Sequence, residues 1–149
     1  MKELVQNVNE EMSKLAEEKG LKYEVVLPNA DGGYDVVGDQ SQLKEAVRNL
    51  IDNSIRDTPS GSVKVRLDRE NNKILFTVAD TGIELSDEMK PKLFTKGGRD
   101  KNSQKINTDS AGYGLSIVKS AVEAHQDHIW VESAGPDKGS IFYVELPVV

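Results

Sequence analysis

The sequence reads Asn49-Leu50-Ile51-Asp52-Asn53-Ser54-Ile55-Arg56 at the end of a helical pattern that begins after Asp39. Asp39 can cap the start of this helix. One face carries the residues that recur at helical spacing, namely Leu43, Ala46, Val47, Leu50, Ile51 and Ser54. Asn49, Asn53 and Arg56 stand at i, i+4 and i+7, so they share a face beside that stripe. The pattern therefore predicts a helix that packs on one side and presents two amides and a guanidinium on a neighbouring side.

Outward from this helix, helical and strand-like segments alternate along the chain. Helical spacing of apolar residues predicts three more helices, at Met1–Glu18, Ser86–Phe94 and Tyr113–His125. Period-two patterns and turn residues predict six strands, at Lys22–Leu27, Tyr34–Val37, Val63–Leu67, Ile74–Val78, Ile129–Glu132 and Ser140–Leu146. The chain shows no repeat and no internal linker. We therefore expect one α/β domain over residues 1–149, with a mixed sheet and helices on one face.

The composition narrows the classes of protein to consider. The 149 residues suit one domain with one core, and 37% hydrophobic with 30% charged residues is typical of a soluble globular chain. A net charge of −6 argues against a nucleic-acid partner, and the lack of Cys excludes disulfides and thiolate catalysis. No apolar run approaches the roughly 20 residues of a membrane helix, and no signal peptide is visible. We expect a cytoplasmic domain without direct membrane contact, in a parent protein that can be membrane-anchored.

A second candidate site is Val78-Ala79-Asp80-Thr81-Gly82, at the predicted end of a strand. Taken alone, an Asp followed by a Gly is most often only a turn. In a buried site, however, an ionised carboxylate accepts hydrogen bonds and donates none. It would bind the exocyclic amino group of adenine and reject guanine, which has a carbonyl at that position.

The third candidate is a long polar segment that leads into a glycine-rich helix start. Residues 96–112 contain almost no apolar side chain, and a loop of this length in a compact domain is usually functional or disordered. Gly112-Tyr113-Gly114-Leu115 then opens a helix, where backbone N–H groups and the helix dipole favour phosphate. The basic residues of this segment could close over a triphosphate, namely Lys96, Arg99, Lys101 and Lys105. The alternative interpretation is a flexible, solvated run of charge.

Each of these signals is weak, but their order and spacing are specific. Asn-x-x-x-Asn on a helix, Asp-x-Gly, Leu-Phe, Gly-x-Gly-Leu-Ser-Ile-Val-Lys and finally Gly-x-x-x-Gly-Ser resemble the catalytic domain of sensor histidine kinases, in the GHKL superfamily. The resemblance covers nearly the whole chain and is most specific over residues 114–119. It implies the Bergerat ATP-binding fold, a two-layer α/β (α+β) sandwich with a largely antiparallel sheet, and Mg-ATP as the ligand.

The resemblance also implies roles for individual residues. Asn53 matches the family's Mg²⁺-binding Asn, Asn49 is its helper one turn earlier, and both are expected to be catalytic. Arg56 stands at a position that is usually basic and contacts phosphate. Asp80 matches the Asp that recognises adenine, with Gly82 beside it. The other expected nucleotide-binding residues are Phe94, Lys96, Arg99, Gly112, Tyr113, Gly114, Leu115 and Ser140, with a lid at about 96–112.

The sequence also departs from the family pattern. Glu84 replaces the second Gly of the first glycine box, and Asp57 stands where a Tyr often stacks on adenine. Ser110 and Gln126-Asp127 replace residues that are frequently Gly. Binding of ATP is still expected, because Asn53, Asp80 and the second glycine box remain.

The activity implied by the resemblance is transfer of the ATP γ-phosphoryl group to a histidine outside this chain. The expected partner is the helical dimerisation and phosphoacceptor domain of a parent kinase, with a response regulator as an indirect partner. His125 and His128 lack the context of an acceptor, so the chain alone is not expected to become phosphorylated. Asn49 replaces the general-base Glu of gyrase- and chaperone-type ATPases, which argues against hydrolysis. An anti-sigma-type serine kinase and a degenerate nucleotide-sensing module remain as alternatives.

Overall fold

The structure, a computed structural model, describes residues 1–29, 33–82, 120, 122–124, 128–133 and 139–148. In this part of the chain, the elements are α1 (Lys2–Lys19), β1 (Lys22–Val26), α2 (Gln40–Arg56), β2 (Ser62–Glu70), β3 (Lys73–Asp80), β4 (His128–Ser133) and β5 (Ser140–Pro147). Residues 120 and 122–124 are helical, in agreement with the predicted helix that ends at His125. None of the described helices is both long and apolar enough to cross a membrane.

The described strands form one mixed sheet in the order β1-β2-β3-β5-β4. β1 and β2 run parallel, and the other three neighbouring pairs run antiparallel. The parallel pair needs a long crossover connection, and α2 lies within that connection. The predicted mixed, largely antiparallel sheet is therefore confirmed.

Alternate residues of the central strands point to a single core beneath the helices. On β2, β3 and β5 the buried apolar side chains are Val63, Val65, Leu67, Ile74, Phe76, Val78, Phe142, Val144 and Leu146. α1 and α2 cover this face with their own apolar stripes, and every residue of the stripe predicted for α2 is buried. The result is the two-layer sandwich implied by the resemblance, with the helices α1 and α2 on one face.

Local signals fix the ends of these elements as the sequence predicts. The Asp39 Oδ1 accepts a hydrogen bond from the Gln42 N–H at 2.9 Å and caps α2. Gly20 ends α1 in the left-handed conformation, with φ at 80°. Asn71, with φ at 55°, turns the chain between the antiparallel neighbours β2 and β3.

The predicted strand at Tyr34–Val37 is wrong. No residue of this stretch pairs with the sheet, and β1 pairs only with β2 among the described strands. The Tyr34 carbonyl instead accepts a hydrogen bond from the amino group of Met1 at 2.8 Å. Val36 packs against the core near the start of α1, whereas Val37 is 80% exposed. The alternation of apolar residues therefore reflects packing against a helix, which gives the same pattern as a strand.

Several predicted features lie outside the described residues. These are the helix at Ser86–Phe94, the lid at about 96–112, the glycine-rich helix start, and Glu84, Ser110 and His125.

Candidate functional site

Most buried polar side chains of the described residues lie at one end of the sheet. Only Asn9, on α1, stands apart from this group. The others form a polar cluster, which we define as Asn53, Ser54, Asp57, Thr58, Asp80 and Ser140. They come from the last turn and C-cap of α2, the end of β3 and the start of β5. Removing polar groups from water costs free energy, so a group of buried polar side chains at one end of the sheet is a candidate functional site.

Asp80 lies at the centre of the polar cluster, as the last residue of β3. Its side chain is almost fully buried, and its Oδ1 accepts a hydrogen bond from the Gly82 N–H at 3.0 Å. Burial raises the pKa of Asp80 to about 6 because the charged form loses solvation. The Gly82 N–H and the Ser54 hydroxyl oppose this shift, and the charge of Asp57 adds to it. Ser54 Oγ has no hydrogen-bond partner among the described residues, so the Gly82 N–H is the main group that opposes the shift.

Two glycines let three segments of the chain converge on Asp80. A Cβ on Gly82 would lie 2.3 Å from the Asp57 carbonyl oxygen, so the chain after β3 is pressed against the end of α2. A Cβ on Gly139 would lie 2.0 Å from the Asp80 carbonyl oxygen, and Gly139 has a φ of 74°. Any side chain at either position would push backbone away from Asp80. Close approach therefore explains why the sequence has glycine at both positions.

The two amides predicted on α2 are in place along the helix that leads to the polar cluster. Asn53 is buried, and Asn49 is half-buried one turn earlier. Asn49 Nδ2 is buried and lacks a hydrogen-bond partner among the described residues. An unsatisfied buried donor is costly, and a phosphate oxygen would satisfy it. If the amide turned over, its oxygen would suit Mg²⁺, so Asn49 fits either group.

Arg56 forms an ion pair with Asp52 of its own helix. Its Nε lies 3.1 Å from Asp52 Oδ1 and 3.0 Å from Asp52 Oδ2, an ion pair at i, i+4. Both side chains are partly exposed, so the pair contributes little to stability. A guanidinium held this loosely can exchange a carboxylate for a phosphate.

The structure thus brings together Asp80, Gly82 and Ser140 at the end of α2, and it aligns Asn49 and Asn53 on that helix. The predicted site residues Phe94, Lys96, Arg99, Gly112, Tyr113, Gly114 and Leu115 lie outside the described residues. His128 is exposed at the start of β4, away from this cluster.

Sequence reasoning missed two members of the polar cluster. Ser54 is part of the predicted apolar stripe, and Thr58 is not among the predicted site residues. The two are linked, because the Thr58 hydroxyl donates to the Ser54 carbonyl at 2.7 Å. A small polar residue inside an apolar stripe, followed by Thr at i+4, was the available signal.

Comparison with known proteins places the chain in one family. Residues 38–149 match the family described as histidine kinase-, DNA gyrase B-, and HSP90-like ATPase. This match covers most of the chain, and the chain belongs to this family. The resemblance to sensor histidine kinases that the motifs indicate is confirmed.

Individual relatives and structures agree with this assignment. The adaptive-response sensory kinase SasA of Rippkaea orientalis is 32% identical over 148 residues, which cover 97% of this chain and 36% of that protein. The mycobacterial sensor histidine kinase MprB has 25% identity and a TM-score of 0.83, over 99% of this chain and 94% of that chain. A structure of the histidine kinase ThkA in complex with the response regulator protein TrrA has 23% identity and a TM-score of 0.80, over 100% of this chain and 40% of that chain. The chain therefore spans about a third of the length of the curated relative it matches.

Proposed function

We propose that this chain is the ATP-binding catalytic domain of a two-component sensor histidine kinase. It transfers the γ-phosphoryl group of ATP to a histidine on a separate dimerisation domain. The observation that carries the proposal is the position of the polar cluster. Its buried carboxylate acceptor, Asp80, lies beside the end of α2, and one turn before Asn53 the same helix holds the buried, unsatisfied amide nitrogen of Asn49. The similarity to sensory kinases supports the same conclusion.

Asp80 recognises the base. Since burial raises its pKa only to about 6, Asp80 is ionised at neutral pH and accepts hydrogen bonds without donating any. The Gly82 N–H holds Oδ1 in a fixed orientation. A buried ionised acceptor of this kind binds the exocyclic amino group of adenine and disfavours the carbonyl of guanine.

Asn53 and Asn49 hold the metal and the phosphates. An amide oxygen is a suitable neutral ligand for Mg²⁺, and an amide N–H is a donor to phosphate. Bound Mg-ATP supplies the transferable phosphoryl group. The residues of this chain contribute by positioning it and by neutralising charge, which is the main protein contribution to phosphoryl transfer.

The remaining predicted residues complete the nucleotide site. Arg56, Lys96 and Arg99 contact phosphates, with Phe94, Gly112, Tyr113, Gly114, Leu115 and Ser140 forming the rest of the site. The lid at about 96–112 closes over ATP and leaves the γ-phosphate accessible to the acceptor histidine. Residues 1–149 act as one cytoplasmic domain, and the response regulator receives the phosphoryl group later from that histidine.

Calorimetric titration of wild type and Asn53→Ala tests the metal site. Wild type is expected to bind ATP more tightly with Mg²⁺ than without it. In Asn53→Ala, Mg²⁺ should no longer tighten the binding of ATP. Adenosine should bind to this variant as it does to wild type, because adenosine carries no phosphate or metal. Asn7→Ala, an exposed Asn on α1, is the matched control and should behave as wild type. Equal affinity of wild type and Asn53→Ala for Mg-ATP would refute the assignment.

Labelled ATP tests the transfer itself. The chain alone should remain unlabelled, and addition of the parent kinase's dimerisation domain should give label on that domain's histidine. The bond should be stable in base and labile in acid, as expected for phosphohistidine. Label with the stability of phosphoserine would support the serine-kinase alternative instead, and label on His125 or His128 would contradict the proposed division of roles.

A further inference from the structure

Lys19 joins the end of α1 to the end of α2. Its Nζ donates hydrogen bonds to the carbonyl oxygens of Ile55 at 2.7 Å and Arg56 at 2.9 Å. These carbonyls belong to the last turn of α2, which lacks i+4 helical donors and forms the negative end of the helix dipole. Partial burial lowers the pKa of Lys19, and the nearby charge of Asp57 opposes this shift. An ammonium group is therefore held at the C-terminal end of α2, beside a member of the polar cluster.

The junction between α1 and β1 also holds the far end of the segment that follows α2. The Lys22 N–H donates to the Gly61 carbonyl at 3.0 Å. We call residues 57–61 the bridging segment. Lys19 contacts the residues just before it, and Lys22 contacts its last residue, so the junction of α1 and β1 fixes both ends.

The opposite side of the bridging segment contacts the nucleotide site. Gly82 lies so close to the Asp57 carbonyl that no Cβ would fit between them. Directly after the bridging segment, Thr81 Oγ1 accepts a hydrogen bond from the Ser62 N–H at 3.0 Å, and the Thr81 N–H donates to the Ser62 carbonyl at 3.1 Å. The bridging segment is thus held between Lys19 on one side and the residues after Asp80 on the other.

We propose that Lys19 is a positioning residue of the nucleotide site. It acts through the last carbonyls of α2 and the bridging segment, and so sets the position of Gly82 and of the Asp80 carboxylate that Gly82 orients. It does not contact the nucleotide. This inference rests on the proposed function, because it assigns Lys19 to the adenine side of the same site.

The test compares three variants of the chain. Lys19→Met keeps the aliphatic length and removes the ammonium group. Lys19→Arg retains donors that can reach both carbonyls. Lys14→Met, at an exposed position on α1, is the matched control for loss of one lysine from this helix.

In Lys19→Met, we expect adenosine affinity to fall about 3- to 10-fold, as for loss of a partly exposed hydrogen bond. The preference for ATP over GTP should narrow, and binding of inorganic triphosphate with Mg²⁺ should stay unchanged. The amide resonance of Gly82 should shift in an NMR spectrum without nucleotide. Lys19→Arg should restore most of the affinity, and Lys14→Met should match wild type.

The outcomes separate this inference from the proposed function. Wild type that fails to bind adenosine would overturn the proposed function, and the inference with it. Normal binding by wild type, with unchanged adenosine affinity and an unshifted Gly82 resonance in Lys19→Met, would overturn only the inference. A loss of thermal stability without any change in base selectivity would also overturn it, since Lys19 would then be structural. So would a failure of Lys19→Arg to restore affinity.

Discussion

At its N-terminal end, α2 faces water. Gln40, Ser41 and Gln42 are exposed, and the side chain of Asp39 caps the first turn. At its C-terminal end, the same helix buries Asn53 and Ser54, and the chain continues into the buried Asp57 and Thr58. An exposed cap stabilises a helix at little cost, whereas buried polar groups must be desolvated. The difference between these two ends indicates which end the fold uses for binding.

The middle of α2 provides the reference for this comparison. Truncation of a buried apolar side chain there should have the largest effect on stability. Leu50 is 1% exposed, so Leu50→Ala should lower the free energy of unfolding by about 2–5 kcal/mol through loss of packing and a cavity. Leu15→Ala, at a site that is 39% exposed on α1, should cost far less. Urea denaturation measures both. A small effect at Leu50 would mean that α2 is not anchored by its apolar stripe.

The next largest effect should come from the centre of the polar cluster. Asp80→Asn replaces an acceptor-only group with an amide, which should weaken ATP binding by about 1.5–3 kcal/mol, as for loss of a charged hydrogen bond. The preference for ATP over GTP should fall as well. Competition titration with the two nucleotides measures both quantities. Equal binding of ATP and GTP by wild type would contradict the role of Asp80 in base recognition and would leave it only a role in the turn.

The stability of Asp80→Asn should also depend on pH differently from that of wild type. Because the folded pKa of Asp80 is raised to about 6, the folded protein holds this proton more tightly than the unfolded chain does. The contribution of Asp80 to stability is therefore favourable at low pH and is lost as pH rises from about 4 to above 6. Asp80→Asn lacks this loss, so its stability relative to wild type should increase by up to about 3 kcal/mol between pH 4 and pH 7.5. Urea denaturation at both pH values measures this change. A difference between the two proteins that stays constant with pH would contradict the assigned burial of Asp80.

The contact between Gly82 and α2 gives a further way to test the C-terminal end. Gly82→Ala places a methyl group against the Asp57 carbonyl, and we expect adenosine affinity to fall by about 1–3 kcal/mol, the usual cost of overpacking. Gly20→Ala is the control, because Gly20 has a positive φ but no atom within 4 Å of an added Cβ. Gly20→Ala should lower stability and leave adenosine affinity unchanged. Equal affinity in all three proteins would show that the convergence on Asp80 does not serve binding.

The smallest effect should come from the exposed end of α2. Asp39→Ala removes the cap that accepts from the Gln42 N–H and should cost about 1 kcal/mol of stability. Nucleotide affinity should not change, because no member of the polar cluster lies at this end. Thermal unfolding and calorimetry measure the two quantities. A large change in nucleotide affinity would contradict the assignment of binding to the C-terminal end of α2.

The success and the failure of the sequence predictions have physical causes. The span of α2 was predictable because a 3.6-residue period and a cap are both local signals. The absence of a strand at Tyr34–Val37 was not predictable, since an extended stretch beside α1 shows the same alternation as a strand. Whether such a stretch pairs with a sheet depends on residues distant in the chain. Asp80 and Gly82 were found through the order of the motifs. The position of Asp57 near Asp80 was not, because no local pattern relates the two residues.

The sequence by itself determined the family, the main helices and strands, and the residue types available for binding ATP. These follow from local periodicity, turn chemistry and motif order, all of which are encoded within short stretches of chain. Only the tertiary structure decided that Asp80 is buried, that Gly82 touches the end of α2, and that Lys19 binds the last carbonyls of that helix. These contacts join segments distant in sequence, and they exist only because packing of the sheet and helices brings those segments together.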